Sequence, residues 1–222
     1  MSQLLPHVEV LTAENPDASI IWLHGLGADG HDFEPIVEQL NLPESAAIRF
    51  IFPHAPSLPV TINNGMVMPA WYDILEMNID RKVDEIQLKK SVDAIIAFIN
   101  NEMDRGIASE RIIIAGFSQG GAVAFETALS FPKKLAGLLA LSTYFATKDS
   151  IEYHPANQDL AIAIHHGAHD PIVPYKLATV SSSLLKDKGY HVSLTSYEME
   201  HSVCRQQIAD ISQWFVETLK LD

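Results

Sequence analysis

A serine flanked by glycines two positions to either side, Gly116-Phe117-Ser118-Gln119-Gly120, stands where the apolar run Arg111-Ile112-Ile113-Ile114-Ala115 ends. A helix-forming run, Ala122 to Leu129, follows. The pattern predicts a buried strand turning sharply into a helix, with the serine hydroxyl lifted clear at the apex as a nucleophile. An apex of that kind carries an unusual backbone geometry and tolerates no bulk beside it, which accounts for the glycines. A serine hydroxyl is a poor nucleophile near neutral pH and needs a base, and the base needs an orienting acid.

On such an elbow the acid and then the base follow the serine along the chain. His191 and His201 are both late enough to be the base. His191 begins a predicted strand, the wrong end of a sheet whose reactive groups gather at strand C-termini. His201 follows a strand ending at Tyr197 and is taken as the base. For the acid, Asp170 follows the apolar run 161–165, in a loop confined by Gly167 and Pro171. Asp149 also trails a strand and is held in reserve. Attack by Ser118 creates an oxyanion, which needs preorganised donors. The amide of Gln119, directly after the nucleophile, supplies one. The second is expected from the glycine-rich loop His24-Gly25-Leu26-Gly27, through the amide of Leu26.

Other chemistry-bearing residues are weaker. His24, His165, His166 and His169 suggest a metal site, but His165 and His166 are adjacent on a strand end and point to opposite faces. No metal-ligand spacing such as His-Glu-x-x-His or Cys-x-x-Cys accompanies them, so neither metal nor cofactor is expected. Cys204, the one cysteine, excludes an intramolecular disulfide and is read as a buried structural thiol at a helix start.

These groups must be held by alternating elements. Strands are predicted at 7–12, 19–23, 48–52, 111–115, 136–141, 160–165 and 191–197. Helices are predicted at 84–103, 120–129, 174–188 and 203–219, the first with Ile86, Val92, Ile95, Ile96 and Ile99 on one face. This is the pattern of an α/β chain with a mostly parallel central sheet and helices on both faces. The 222 residues fit one domain, 1–222. Segment 53–81 breaks the alternation and reads as a long irregular loop, too apolar for disorder. It is expected to wall an acyl site, with Met66, Met68 and Trp71 touching the acyl group.

Bulk properties narrow the partners. A net charge of −13 argues against nucleic acid or an anionic bilayer as a standing partner. The start, Met1-Ser2-Gln3-Leu4-Leu5-Pro6, shows no secretory signal, and no apolar stretch is long enough to span a bilayer. A cytoplasmic location without stable membrane insertion is expected, and a homodimer is left open.

The chain resembles the phospholipase/carboxylesterase family of small α/β-hydrolases, which includes acyl-protein thioesterases and bacterial carboxylesterases. The resemblance rests on His24-Gly25-Leu26-Gly27-Ala28-Asp29-Gly30, Met66-Val67-Met68-Pro69-Ala70-Trp71-Tyr72-Asp73, the elbow with Gly121, His166-Gly167 with Asp170, and Glu200-His201. It implies an α/β-hydrolase fold without a separate lid domain. By similarity Ser118, Asp170 and His201 are the triad, with Leu26 and Gln119 at the oxyanion. Asn64 stands where the family usually has Met, and His169 where it has a small or polar residue. The expected activity is hydrolysis of carboxylic esters or acyl thioesters, on small esters or acylated proteins. Lysophospholipase is the alternative, and a silent acyl- or protein-binding module is a third reading.

Overall fold

The computed structural model describes residues 4–76 and 82–221. Residues 1–3, read above for a signal, and 77–81 of the long segment lie outside the described residues. The chain opens with β1 (His7–Leu11), β2 (Ala18–Leu23) and β3 (Ile48–Pro53). A hairpin of β4 (Ser57–Val60) and β5 (Met66–Pro69) follows, then α1 (Glu85–Asp104). The elbow joins β6 (Ile112–Phe117) to α2 (Gln119–Ser130). The rest is β7 (Gly137–Leu141), β8 (Ala161–Gly167), α3 (Tyr175–Asp187), β9 (Val192–Tyr197) and α4 (Arg205–Leu219).

Among the described residues, the main sheet has seven strands in the order β1-β3-β2-β6-β7-β8-β9. All neighbours are parallel except the edge pair β1 and β3. β2, β3 and β7 are buried throughout, because helices and turns cover both faces. The two-residue alternation divides the core. Ile21, Leu23, Ile114, Leu138 and Ile164 face α1, α2 and α3. Ile20, Trp22, Ile113, Leu139 and Ala163 face α4 and the 3-10 segment Glu34–Gln39.

Two expectations need correction. The buried stripe of α1 runs through Leu88, Val92, Ile95, Phe98 and Ile99, whereas Ile86 is 72% exposed. Ile86 lies two residues before Leu88, about 200° around the helix, so it cannot share that face. The segment read as irregular contains the β4–β5 hairpin, in which Val60 pairs with Met66 and Ser57 with Pro69. Its prolines are tolerated because a two-stranded ribbon is all edge. Asn64 (φ 55°) and Gly65 (φ 73°) turn the chain in left-handed conformations, the Asn-Gly signature of a hairpin. No helix among the described residues is long and apolar enough to cross a membrane.

From β2 the chain moves outward to β3, then returns to β6 on the opposite side of β2. The C-terminal ends of β2 and β6 therefore flank a crevice where connections diverge, the usual place for a ligand in an open parallel sheet. The His24 loop leaves one of these ends and Ser118 the other.

Candidate active site

Ser118 caps α2 with φ 53° and ψ −118°, outside the regions that side-chain-bearing residues favour. Its surroundings enforce the strain. A Cβ on Gly116 would lie 2.4 Å from the Gly120 carbonyl oxygen, and one on Gly120 would lie 2.5 Å from the His24 carbonyl oxygen. Only glycines allow α2 to start this close to β2 and β6. The Ser118 amide donates to Leu141 O at 2.8 Å, and its carbonyl accepts from the amide of Gly121 at 3.0 Å.

Three side chains from distant parts of the chain form one hydrogen-bonded row. His201 Nε2 lies 3.0 Å from Ser118 Oγ, and His201 Nδ1–H donates to Asp170 Oδ2 at 2.7 Å. The other Asp170 oxygen accepts from the amides of Ile172 (2.9 Å) and Val173 (2.8 Å). Burial pushes the Asp170 carboxyl upward, but the His201 hydrogen bond, the Val173 and Ile172 amides and the His201 charge outweigh it, and the net shift is downward. Asp170 therefore stays ionised, which assigns the proton of neutral His201 to Nδ1 and leaves Nε2 free to accept from Ser118. The loops after β8 and β9 meet at Gly167, where a Cβ would lie 2.3 Å from the Glu200 carbonyl oxygen. That close approach brings Asp170 to His201. Asp149, the reserve acid, is exposed and paired with Lys148.

A cavity of about 400 Å³ opens beside Ser118. Leu26, Gln119 and His201 line it together with Ile62, Asn63, Ile74, Tyr144 and Ile172. Among the described residues, the amides of Leu26 and Gln119 have no hydrogen-bond partner within the protein. The Gln119 side chain is buried and works elsewhere: its Oε1 accepts from the Trp71 amide at 2.8 Å and its Nε2 donates to Tyr72 O at 2.6 Å.

The acyl-wall residues named from sequence lie differently. Trp71 is 1% exposed, does not line this cavity, and donates its indole N–H to His24 O at 2.9 Å. Met66 is exposed near the hairpin turn. Met68 is half-buried and reaches the cavity only indirectly, its sulfur accepting from the side-chain Nδ2 of Asn63 at 3.3 Å. The four histidines are dispersed. His24 is buried against Ala55, His165 contacts Tyr197, His166 donates to Val173 O, and His169 pairs with Glu198 on the surface. Cys204 is only half-buried and lines a second cavity, so it is not the sealed core thiol expected.

Residues 6–219 match the family described as Phospholipase/Carboxylesterase. The chain belongs to that family. Like other members of the phospholipase/carboxylesterase family, it has the α/β-hydrolase fold and is an ester or thioester hydrolase. It is 39% identical over 213 residues to acyl-protein thioesterase 1 of Neurospora crassa, covering 91% of this chain and 87% of that protein. The crystal structure of Arabidopsis thaliana SOBER1 superposes with a TM-score of 0.85 at 31% identity, covering 91% of this chain and 99% of that one. That of Zea mays acyl-protein thioesterase 2 gives 0.83 at 28% identity, covering 97% and 99%.

Within this phospholipase/carboxylesterase frame, sequence reasoning missed the residues that build the cavity. Ile74, Tyr144 and Ile172 come from loops after β5, β7 and β8. Each follows a strand C-terminus or the hairpin, and position in the alternation was the available signal.

Proposed function

We propose that the chain hydrolyses acyl esters and thioesters through a Ser118 acyl-enzyme, within one catalytic domain. The observation that carries this reading is the hydrogen-bonded row Asp170–His201–Ser118 opening on an apolar cavity. His201 Nε2 takes the proton of Ser118 Oγ as the oxygen attacks the carbonyl carbon. The negative charge that develops on the carbonyl oxygen is met by the free amides of Leu26 and Gln119. The tetrahedral species collapses, the carbon–oxygen or carbon–sulfur bond breaks, and the departing atom takes the proton from His201. Water, activated by the same His201, then releases the acid and restores Ser118.

The two relatives named as acyl-protein thioesterases make acylated cysteine the first natural substrate class to test. Hydrolysis of p-nitrophenyl esters from acetyl to palmitoyl, beside an acyl-cysteine peptide, measures both acyl length and leaving group. A fluorophosphonate is expected to tag Ser118 and stop both reactions. Hydrolysis that continued after full tagging, or no tagging at all, would refute the mechanism. Turnover of a lysophospholipid faster than of either would assign the family's lipid activity instead.

A further inference from the structure

A second cavity, of about 450 Å³, lies between the 3-10 segment Glu34–Gln39 and the N-terminal turn of α4. It touches His201 but not Ser118, Leu26 or Gln119, and it shares Asp32, Phe117 and His201 with the first cavity. The Phe117 ring forms the ridge between them, 4.8 Å from the His201 ring and 5.5 Å from that of Phe33. The floor is apolar and buried, with Phe33, Ile36 and Ile208 each less than 8% exposed, while Asp32, Gln39 and Arg205 form a polar rim.

The serine-hydrolase mechanism proposed above makes the two cavities chemically unequal. The carbon of the tetrahedral species holds Ser118 Oγ, the oxyanion, the acyl chain and the leaving group. The oxyanion is directed to the Leu26 and Gln119 amides. His201 Nε2 must pass the proton it took from Oγ to the leaving atom, so the leaving group has to stand on the His201 side. We propose that the cavity between segment Glu34–Gln39 and α4 is the leaving-group subsite, and that it takes thiols or alcohols carrying a bulky apolar group. The first cavity, with Ile62, Ile74 and Tyr144, then holds the acyl chain. As the carbon–sulfur or carbon–oxygen bond breaks, its electron pair stays with the leaving atom, which takes the His201 proton and departs across Phe117.

Cys204, the one cysteine of the chain, lines this second cavity and offers a handle for the test. Benzyl methanethiosulfonate converts it to a mixed disulfide with loss of methanesulfinate and so fills the cavity. Two butyryl thioesters are compared, one of ethanethiol and one of 2-phenylethanethiol. The ratio of kcat/KM for the bulky over the small leaving group is expected to fall at least tenfold on modification and to return with dithiothreitol. Ile36→Phe, filling the cavity from the opposite wall, is expected to lower the same ratio. A ratio unchanged by both treatments would overturn the assignment, whatever happens to the absolute rates. Fluorophosphonate expels only fluoride, so it reports on Ser118 independently. Failure of the unmodified protein to label would overturn the nucleophile reading on which the subsite rests.

Discussion

The Thr143 hydroxyl donates to the backbone carbonyl of Ser118 at 2.6 Å. In a trans peptide the carbonyl and the following N–H point in opposite directions. Holding the Ser118 carbonyl from behind therefore aims the Gln119 amide into the cavity. The Leu26 amide, the other donor proposed for the oxyanion, is set the same way. His24 Nδ1–H donates to the Gly25 carbonyl at 2.7 Å, which turns the Leu26 amide away from His24. Burial pushes His24 toward its neutral form, and its Nε2 accepts from the Ala55 amide at 3.1 Å, which fixes that tautomer. Thr143→Val keeps the shape and removes one of the bonds on the Ser118 carbonyl. Since one such bond is worth about 1 kcal/mol, kcat is expected to fall about fivefold with KM unchanged, and Thr143→Ser to restore it. A change in KM alone would show that Thr143 acts on substrate binding.

Replacing Asp170 with Asn tests the orienting acid. With the negative charge gone, His201 loses its preference for the Nδ1–H tautomer, and kcat is expected to fall at least about 10³-fold. The substitution has a second readout. The Asp170 pKa in the folded chain lies below the ordinary 3.8, so ionisation favours the folded state above that pH and the benefit is lost as pH falls through the folded value. The stability gap between the parent and Asp170→Asn, measured by urea unfolding, is therefore expected to narrow in acid.

His165 acts in the same pH direction through a different cause. Burial pushes it down from 6.5 to about 4, while its Nδ1 lies 3.2 Å from the Tyr197 hydroxyl, which donates to Asp210. Between those two pH values the unfolded chain binds a proton that the folded chain refuses. Stability is unaffected above pH 6.5 and falls as the pH drops toward about 4, by about 3 kcal/mol from this residue. Burial lowers His24 and His166 as well, so they add in the same direction. Urea midpoints at about pH 7 and about pH 4.5 are expected to differ less in His165→Gln than in the parent. Equal differences would show that His165 does not refuse the proton.

The loop contact at Gly167 offers a steric test. In Gly167→Ala the new Cβ would press on two backbone oxygens, those of Glu200 and Met199, at 2.3 and 2.4 Å. Backbone cannot swing aside as a side chain can, so the β9 loop has to move and carry His201 with it. Activity is expected to drop at least about 10²-fold, because small displacements of a catalytic group are this costly. Structure near Trp22, beneath the sheet, is expected to persist by near-UV circular dichroism. A variant with full activity would mean that the loop absorbs the methyl group without moving His201.

How much of this was readable beforehand follows from the physics of each element. The alternation of apolar runs and amphipathic helices encodes the sheet directly, because buried parallel strands are apolar on both faces. The elbow is local, so five residues announce it. That Ser118, Asp170 and His201 would meet was legible because each follows a strand, and strand ends gather at one edge of a parallel sheet. The hairpin was hidden by Pro59 and Pro69, although Asn64-Gly65 signals its turn. The side-chain role of Gln119 was also invisible, since Trp71 and Tyr72 lie almost 50 positions away and nothing local marks the pairing. The cavity wall was misread for a related reason. Hydrophobicity marks Trp71 and Ile74 as covered without saying by what, and it marks Met66 equally, which is exposed.

Trp71 and Ile74 separate those two meanings of covered. Trp71 is buried under the His24–Gly27 loop, with its indole on His24 O and its amide on the Gln119 side chain. Ile74, three positions on, is 5% exposed and lines the cavity beside Ser118 that is proposed to take the acyl chain. Trp71→Ala removes a large packed side chain and frees the His24 carbonyl, at a cost of about 3–5 kcal/mol in stability. Its effect on catalysis is expected to be a uniform loss across p-nitrophenyl esters, since the cavity keeps its wall. Ile74→Ala lengthens the cavity and is expected to move the optimum toward longer acyl chains with a smaller loss of stability. Tyr144→Phe leaves the ring but breaks its 3.1 Å contact with the Tyr72 hydroxyl, and so tests whether the pair holds that end of the wall in place. A chain-length profile shifted by Trp71→Ala and not by Ile74→Ala would return the acyl wall to the tryptophan.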